Sequence, residues 1–344
     1  MQYVQGMSMC AIIGIFRNKE AGRMAAEGLS IMESRGRDRS GIESGDCWAI
    51  GHNLHAIVGN IKQPLKGRGV FAANCEIYNW KDLCQKYGIK AGNDAEAVFM
   101  MSENGILPER IDELDGDYAL AYYQIKEQRL ILARDLIGVK PLWFAESPEG
   151  FGFASEKKAL ERITGSDNIQ ELNPRKVLIY NPANNKVSFK RRSFYDITPE
   201  HTETEEEQKS RVLELLRKSI EKRVPKKKVG LLFSGGIDST LLAMMLKSLD
   251  VDFTCYTAAL ESGTEAEDAV YARKVAEELG LKLRIMKIEL ENVRDYLKKI
   301  VPLIEDSNVV KVGVAVPFYV CCEQAKKDGV KVMLSGLGSE EIFA

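Results

Sequence analysis

The stretch that most constrains this chain is Leu231-Leu232-Phe233-Ser234-Gly235-Gly236-Ile237-Asp238-Ser239-Thr240. An apolar run ends in Ser-Gly-Gly, then Asp-Ser, and the apolar Leu241-Leu242-Ala243-Met244-Met245-Leu246 follows. This reads as a buried strand, a tight turn and a helix. Two glycines let the backbone approach an anion closely, and the helix start points N–H groups and its positive dipole end at the same place. Ser234, Ser239 and Thr240 add hydroxyl donors, and Asp238 can hold the magnesium that travels with a polyphosphate. The Gly-Lys-Ser/Thr ending of the Walker loop is absent.

The chain around this turn alternates strand and helix. Strands are expected at 229–233, 253–257, 283–288 and 330–334, and helices at 240–248, 265–279 and 317–327. That alternation predicts a doubly wound parallel sheet, with ligands at the carboxyl ends of its strands. A helix at about 206–223 precedes it, with Val212, Leu215, Leu216 and Ile220 on one face. An acidic stretch at 196–208, bearing Thr198, Pro199 and a run of glutamates, reads as the linker. Upstream, many short strands such as Tyr118-Ala119-Leu120-Ala121-Tyr122-Tyr123 are separated by Gly, Pro and Asn turns. Helical patterns interrupt them at 21–33 and 96–104.

At 344 residues the chain holds two domains with sizeable cores, and its net charge of −2 gives no general reason to bind nucleic acid or membrane. The basic run Lys226-Lys227-Lys228 reads as a solvated face. No apolar run approaches membrane-spanning length, and the N-terminus lacks signal-peptide zones. Seven cysteines without a Cys-x-x-Cys pair suit a reducing, cytoplasmic setting. His52 and His55 lack a companion ligand pattern and read as structural. Met9-Cys10 opens a β-run; if Met9 is removed, the free α-amine can act as base for the Cys10 thiol.

Six segments carry a family resemblance. Arg35-Gly36-Arg37-Asp38-Arg39-Ser40-Gly41, Asn74-Cys75-Glu76-Ile77-Tyr78-Asn79, Gly92-Asn93-Asp94-Ala95-Glu96, Arg134-Asp135 with Gly138-Val139-Lys140-Pro141-Leu142, and Ala154-Ser155-Glu156 with Lys158-Ala159-Leu160 resemble segments of class II glutamine amidotransferases. The Ser234–Ser239 turn resembles the SGGxDS loop of ATP pyrophosphatases. Their order resembles glutamine-hydrolysing asparagine synthetases over nearly all of residues 10–344. The resemblance implies an N-terminal α-β-β-α sandwich, giving an α/β protein with an amidotransferase domain at 10–195, a linker at 196–208 and an ATP-pyrophosphatase domain at 209–344.

The resemblance also assigns roles. Cys10 would be the nucleophile, with Asn74 and the Cys75 N–H as oxyanion donors; Val58, Asn74, Glu76 and Asp94 would bind glutamine. Leu232, Ser234, Gly235, Gly236, Asp238, Ser239, Ala258, Ser335 and Gly336 would bind ATP; Asp238 and Glu340 would hold Mg²⁺. Glu305 and Leu337 would face the acceptor, aspartate or another carboxylate, and ammonia would pass internally between the two sites. A homodimer is left open. Departures are equally informative. Cysteine replaces glycine at 75, and Leu54 falls where the family has an arginine for glutamine's α-carboxylate, so that either His55, Lys62 or Arg68 substitutes or glutamine binds weakly or not at all. Leu337 falls on a glutamate that could accept a proton, and Gly313 falls near a family arginine. Two rivals follow: an adenylating ligase using another acceptor or free ammonia, and a non-catalytic nucleotide-binding remnant. Residues 1–9 are expected to be absent from the mature protein. The end at Ala344, in mid-motif, reads as a truncation or one frame of a split gene.

Overall fold

The structure, a computed structural model, describes residues 9–56, 59–194, 202–225, 227–261 and 266–339. The chain divides into two compact units, residues 8–197 and residues 198–344.

The first unit runs β1 (Ala11–Phe16), α1 (Ala21–Ile31), β2 (Arg39–Gly45), β3 (Trp48–Leu54), β4 (Leu65–Lys66), β5 (Gly69–Ile77), α2 (Trp80–Tyr87), α3 (Asp94–Glu103), β6 (Gly116–Gln124), β7 (Arg129–Arg134), β8 (Trp143–Ser147), β9 (Gly150–Ala154), α4 (Lys157–Thr164), β10 (Ile169–Glu171), β11 (Lys176–Asn181) and β12 (Lys186–Arg191). Two six-stranded sheets result, in the orders β10-β8-β9-β1-β3-β2 and β12-β11-β7-β6-β5-β4. Period-two alternation sorts the side chains into layers. Ile12 and Phe16 of β1 face Val70 and Ala72 of β5 across the space between the sheets. Ile13 and Ile15 turn the other way, onto Ala25 and Leu29 of α1 and Leu160 of α4. Phe71 and Ala73 turn onto Leu83 of α2 and Val98 and Met101 of α3. The layering is α-β-β-α. The short helices α2 and α4 were not expected; eight residues each give too few turns for a clear 3.6 period.

The second unit runs α5 (Glu205–Glu221), β13 (Val229–Leu232), α6 (Ile237–Ser248), β14 (Phe253–Glu261), α7 (Glu267–Glu278), β15 (Leu283–Glu289), α8 (Leu290–Ile304), α9 (Val309–Lys327) and β16 (Val332–Leu334). The sheet order is β15-β14-β13-β16, all parallel. The chain steps outward from β13 to β15, then returns past β13 to β16. Right-handed crossovers put α6 and α7 on one face and α9 on the other. The reversal leaves a crevice between the carboxyl ends of β13 and β16.

Three expectations need correction here. The last long helix begins at Val309, not at Pro317: Asn308 Oδ1 caps it by accepting from the N–H groups of Val310 and Lys311 at 3.0 and 3.3 Å. Proline favours a first helical turn, which made 317 an attractive start, yet it sits mid-helix. The helix α8 falls where no element was expected. On α5, only Ile220 of the four apolar face residues is buried, while Val212 and Leu215 are exposed.

Candidate functional sites

In the first unit, Cys10 immediately precedes β1 and shares the inter-sheet face with Ile12. Its Sγ accepts the His55 N–H at 3.3 Å. Arg35 Nε donates to the Cys10 carbonyl at 3.1 Å, and its Nη1 donates to Glu156 Oε1 at 3.3 Å. Ser155 Oγ accepts the Ile12 N–H at 2.9 Å. The segments at 35–41 and 154–160 thus meet to fix the backbone of the nucleophile. Burial pushes the Cys10 thiol up; the His55 N–H and the charges of Lys140 and Arg35 pull against it. Asp135 of the 134–142 segment accepts N–H bonds from Gly138, Val139 and Lys140 at 2.7, 2.8 and 3.0 Å, and so sets the loop that carries buried Lys140. Lys140 Nζ lies 3.7 Å from Met9 Sδ.

Asn74 and Cys75 lie on β5. Asn74 is buried on the inter-sheet face and its Nδ2 has no partner among the described residues. Cys75 pairs across from Tyr118. Tyr118 directs its own N–H to Asp135 Oδ2 at 3.2 Å and accepts the Asp135 N–H at 2.8 Å, on the side away from β5. Cys75 and Tyr118 are therefore a non-hydrogen-bonded pair, and the Cys75 N–H points out to the open edge of β5. Along that edge the N–H before it, from Ala73, reaches Gln63 Oε1 at 2.8 Å, and the one after it, from Ile77, reaches Asp94 Oδ2 at 3.0 Å. Between them the Cys75 N–H has no partner among the described residues. The Cys75 thiol turns toward Asp94 Oδ2, at 3.9 Å, and burial, Asp94 and Cys10 all push it up. Asp94 is raised by burial, against the Ile77 and Ala95 N–H groups. Glu76 acts electrostatically on both thiols. Glu96 closes its own loop by accepting the Gly92 N–H at 2.7 Å. Val58 lies outside the described residues.

Leu54 is buried, and extending the β1–β3 register sets it across from Cys10. Of the expected substitutes for an arginine there, Arg68 is held by Glu103. It stands six residues before Asn74, about 20 Å away along the strand. His55 Nδ1 lies 3.6 Å from Asp38 Oδ2. The sequence reading missed Lys140, Gln63 and the inward aim of His52. Burial pushes His52 down to about 4, so its ring is neutral.

In the second unit, a cavity of about 340 Å³ occupies the crevice. Ser234, Asp238, Ser239, Ser335 and Gly336 line its polar side, and Leu337 lines it too. Leu232, Tyr256, Ala258, Phe318 and Cys321 form an apolar wall. Gly235 has φ +79°, and a Cβ there would meet Ala272 Cα at 3.1 Å. A Cβ on Gly336 would meet Asp238 Cβ at 2.9 Å, so the two loops need glycine to close up. Ser239 Oγ accepts the Ser234 N–H at 3.3 Å, and Ser234 Oγ accepts the Gly236 N–H at 3.2 Å. No side chain caps α6 at Gly236, which leaves its first N–H groups for an anion. Among the described residues no group of three or more His, Cys, Asp or Glu is arranged to hold a metal. Asp238 lines the cavity beside this helix start, a donor set that suits a magnesium ion bound mainly through phosphates. Asp268, at the start of α7, also lines the cavity and was missed. Glu305 does not line it: the residue ends α8 with φ +54°. Gly313 is exposed on α9. Glu340 lies outside the described residues. No helix of the described residues is long and apolar enough to cross a membrane.

These two units match two domain families in sequence: a glutamine amidotransferase domain over residues 9–212 and an asparagine synthase domain over residues 211–344. A putative glutamine-hydrolysing asparagine synthetase of Methanocaldococcus jannaschii is 33% identical, covering 97% of this chain and 69% of its own length. Asparagine synthetase B of Escherichia coli is 27% identical over 97% of this chain and 64% of its length. For asparagine synthetase 1 of Saccharomyces cerevisiae the identity is 29%, over 97% of this chain and 65% of its length. The chain belongs to the glutamine-hydrolysing asparagine synthetase family. It spans about two thirds of the length of these relatives.

Proposed function

We propose that the chain uses glutamine as nitrogen donor and ATP to convert aspartate to asparagine through a β-aspartyl-AMP intermediate. The observation that carries the glutaminase half is a pair of N–H donors without partners among the described residues, Asn74 Nδ2 and the Cys75 N–H, adjacent on β5 and close enough to Cys10 for the two thiols to interact. The Cys10 thiol attacks the glutamine side-chain amide, its proton passing to the α-amine freed when Met9 is removed. The amide oxygen becomes an oxyanion and accepts from Asn74 and Cys75, where donors already in place stabilise developing charge. Ammonia leaves with the proton, and water cleaves the thioester. Asp94 takes the α-ammonium. A Met9–Cys10 peptide bond leaves no amine to receive the thiol proton, so chain retaining Met9 is predicted to be inactive with glutamine.

In the second unit, ATP occupies the crevice, with its phosphates over Ser234–Ser239 and its base between Leu232 and Ala258. Asp238, with Glu340, would hold Mg²⁺, which when bound neutralises phosphate charge. The acceptor carboxylate attacks the α-phosphorus, pyrophosphate leaves, and ammonia displaces AMP from the acyl carbon. The residues named here orient the reactants and offset their charge. Leu337 favours a second reading: it lines the cavity and is 40% exposed, but supplies no base for the attacking ammonia. That second reading is an adenylating ligase with another acceptor.

The test of the synthetase half omits glutamine. With Mg-ATP, aspartate and ammonium, asparagine, AMP and pyrophosphate are expected in equal amounts. Turnover only with a different carboxylate selects the second reading. ATP binding without turnover on any carboxylate contradicts both.

A further inference from the structure

We propose that His52 and Gln63 are positioning residues for the oxyanion donors of the Cys10 site. They clamp the Ala73 peptide group, immediately before Asn74 and Cys75. This inference rests on the glutaminase reading above.

The β5 edge explains the need. Its neighbour β4 pairs only Leu65 and Lys66 with Phe71 and Val70. From Ala73 onward that side of β5 has no strand partner among the described residues. The Gln63 side chain takes the vacant place. Its Oε1 accepts the Ala73 N–H at 2.8 Å and its Nε2 donates to the Ala73 carbonyl at 3.1 Å. This two-bond pairing imitates a neighbouring strand. From the facing sheet, His52 Nε2 lies 3.2 Å from the same carbonyl oxygen. The carbonyl can only accept, so the imidazole carries its proton on Nε2. Gln63 is 5% exposed and His52 is 1% exposed.

The local chemistry argues against a merely filling role. His52 lies opposite Ile12 in the β1–β3 register, on the inter-sheet face beside the apolar cluster that holds Ile12 and Ile50. Its Nδ1 has no partner among the described residues. An apolar side chain of similar size would occupy that space without leaving a buried lone pair unsatisfied. What the ring supplies instead is a bond between the two sheets: β3, adjacent to the strand that Cys10 opens, to β5, which carries the donors. Asp94 fixes the same edge two residues beyond Cys75, through the Ile77 N–H at 3.0 Å. The Cys75 N–H is therefore held from both sides, and a slip of β5 by a fraction of an ångström would move it off the developing oxyanion. Misplacement of that size is costly in a site that works by preorganisation.

The test compares His52→Leu, Gln63→Met and His52→Gln in chain whose N-terminal residue is Cys10. His52→Leu and Gln63→Met are expected to lower kcat for glutamine hydrolysis by about 10- to 100-fold. KM should stay within about threefold, and the rate of Cys10 alkylation by iodoacetamide should be unchanged, because neither contact acts on the thiol. Affinity for glutamate γ-semialdehyde, whose thiohemiacetal with Cys10 presents the tetrahedral oxygen, should fall in step with kcat. His52→Gln keeps an N–H donor of similar reach and is expected to recover most of the loss. Unchanged kcat in His52→Leu and Gln63→Met, or a loss shared equally by alkylation, would overturn the clamp.

Should those variants fail to fold, nitrogen-15 NMR of the histidines in the unsubstituted protein decides. The chain has three histidines, so assignment is short. His52 is expected as the neutral Nε2–H tautomer; an Nδ1–H tautomer refutes the clamp. Absence of glutamine hydrolysis in the unsubstituted protein would remove the function reading and this catalytic role together, while the tautomer would still report whether the bond to Ala73 exists.

Discussion

His52 makes a pH-dependent contribution to stability that can be worked out from its sign. Its folded value is pushed down to about 4 from an ordinary value of 6.5. Between those two values the unfolded chain binds a proton that the folded chain refuses, so stability falls as pH falls through that window. Above pH 6.5 the contribution is fully present. At about 1.4 kcal/mol per unit, the loss by pH 4 approaches about 3 kcal/mol. Urea unfolding from pH 7.5 down to 4.5 should show a steeper decline for the unsubstituted protein than for His52→Gln; parallel declines would contradict this. Lys140 is the second residue with a directional prediction. Its charge pulls the Cys10 thiol down against burial. Lys140→Met should raise the thiol further and slow its alkylation at pH 8, and an unchanged rate would show that the lysine acts elsewhere. Neither residue was legible as such. A histidine on a strand and a lysine before Pro141 look ordinary in sequence; what distinguishes them is burial, which depends on the facing sheet. Cys10, Asn74, the Cys75 N–H and Asp94 were all named on the family resemblance; what strand pairing adds is the direction of that N–H, which points to the open edge of β5.

At the element scale, the strand–turn–helix at 229–248 was legible because its constraint is local. Gly235 needs its left-handed φ, and the apolar runs on either side declare strand and helix. Replacing Gly336 with alanine tests the packing of the two loops. The added Cβ would meet Asp238 Cβ at 2.9 Å, and backbone must move to relieve it. Nucleotide affinity is expected to fall by tenfold or more, roughly the loss of one well-made charged contact, with little change in glutamine hydrolysis. Equal affinity would show that the loops are not in contact when nucleotide binds. The helix α9 shows the opposite case. Its start was misplaced because Pro317 gives a strong local signal, while Asn308, the cap that begins the helix, sits in a polar stretch that reads equally well as loop. Asn308→Ala should cost about 1 kcal/mol, read as a lowered urea midpoint with unchanged slope. The exposed Val212 and Leu215 of α5 carry the same lesson: a helical apolar period gives a face, and tertiary structure decides whether that face is covered.

For the whole molecule, the two layered architectures differ in how far they could be read. The parallel sheet follows from alternation of strand and helix, together with the fixed hand of crossovers. The α-β-β-α sandwich does not: twelve short strands permit many pairings, and the expectation came from resemblance, with the layers then visible in which alternate residues share a core. In the proposed function one chain takes nitrogen from glutamine and places it on an acyl acceptor. Glutamine labelled with nitrogen-15 in its side-chain amide tests this most directly, supplied with Mg-ATP, aspartate and unlabelled ammonium below saturation. Label is expected in the asparagine side chain, formed in step with AMP and pyrophosphate, and lost from the product when Cys10 is replaced by alanine. Unlabelled asparagine formed solely from ammonium, or label released as free ammonia with no amide product, would contradict it.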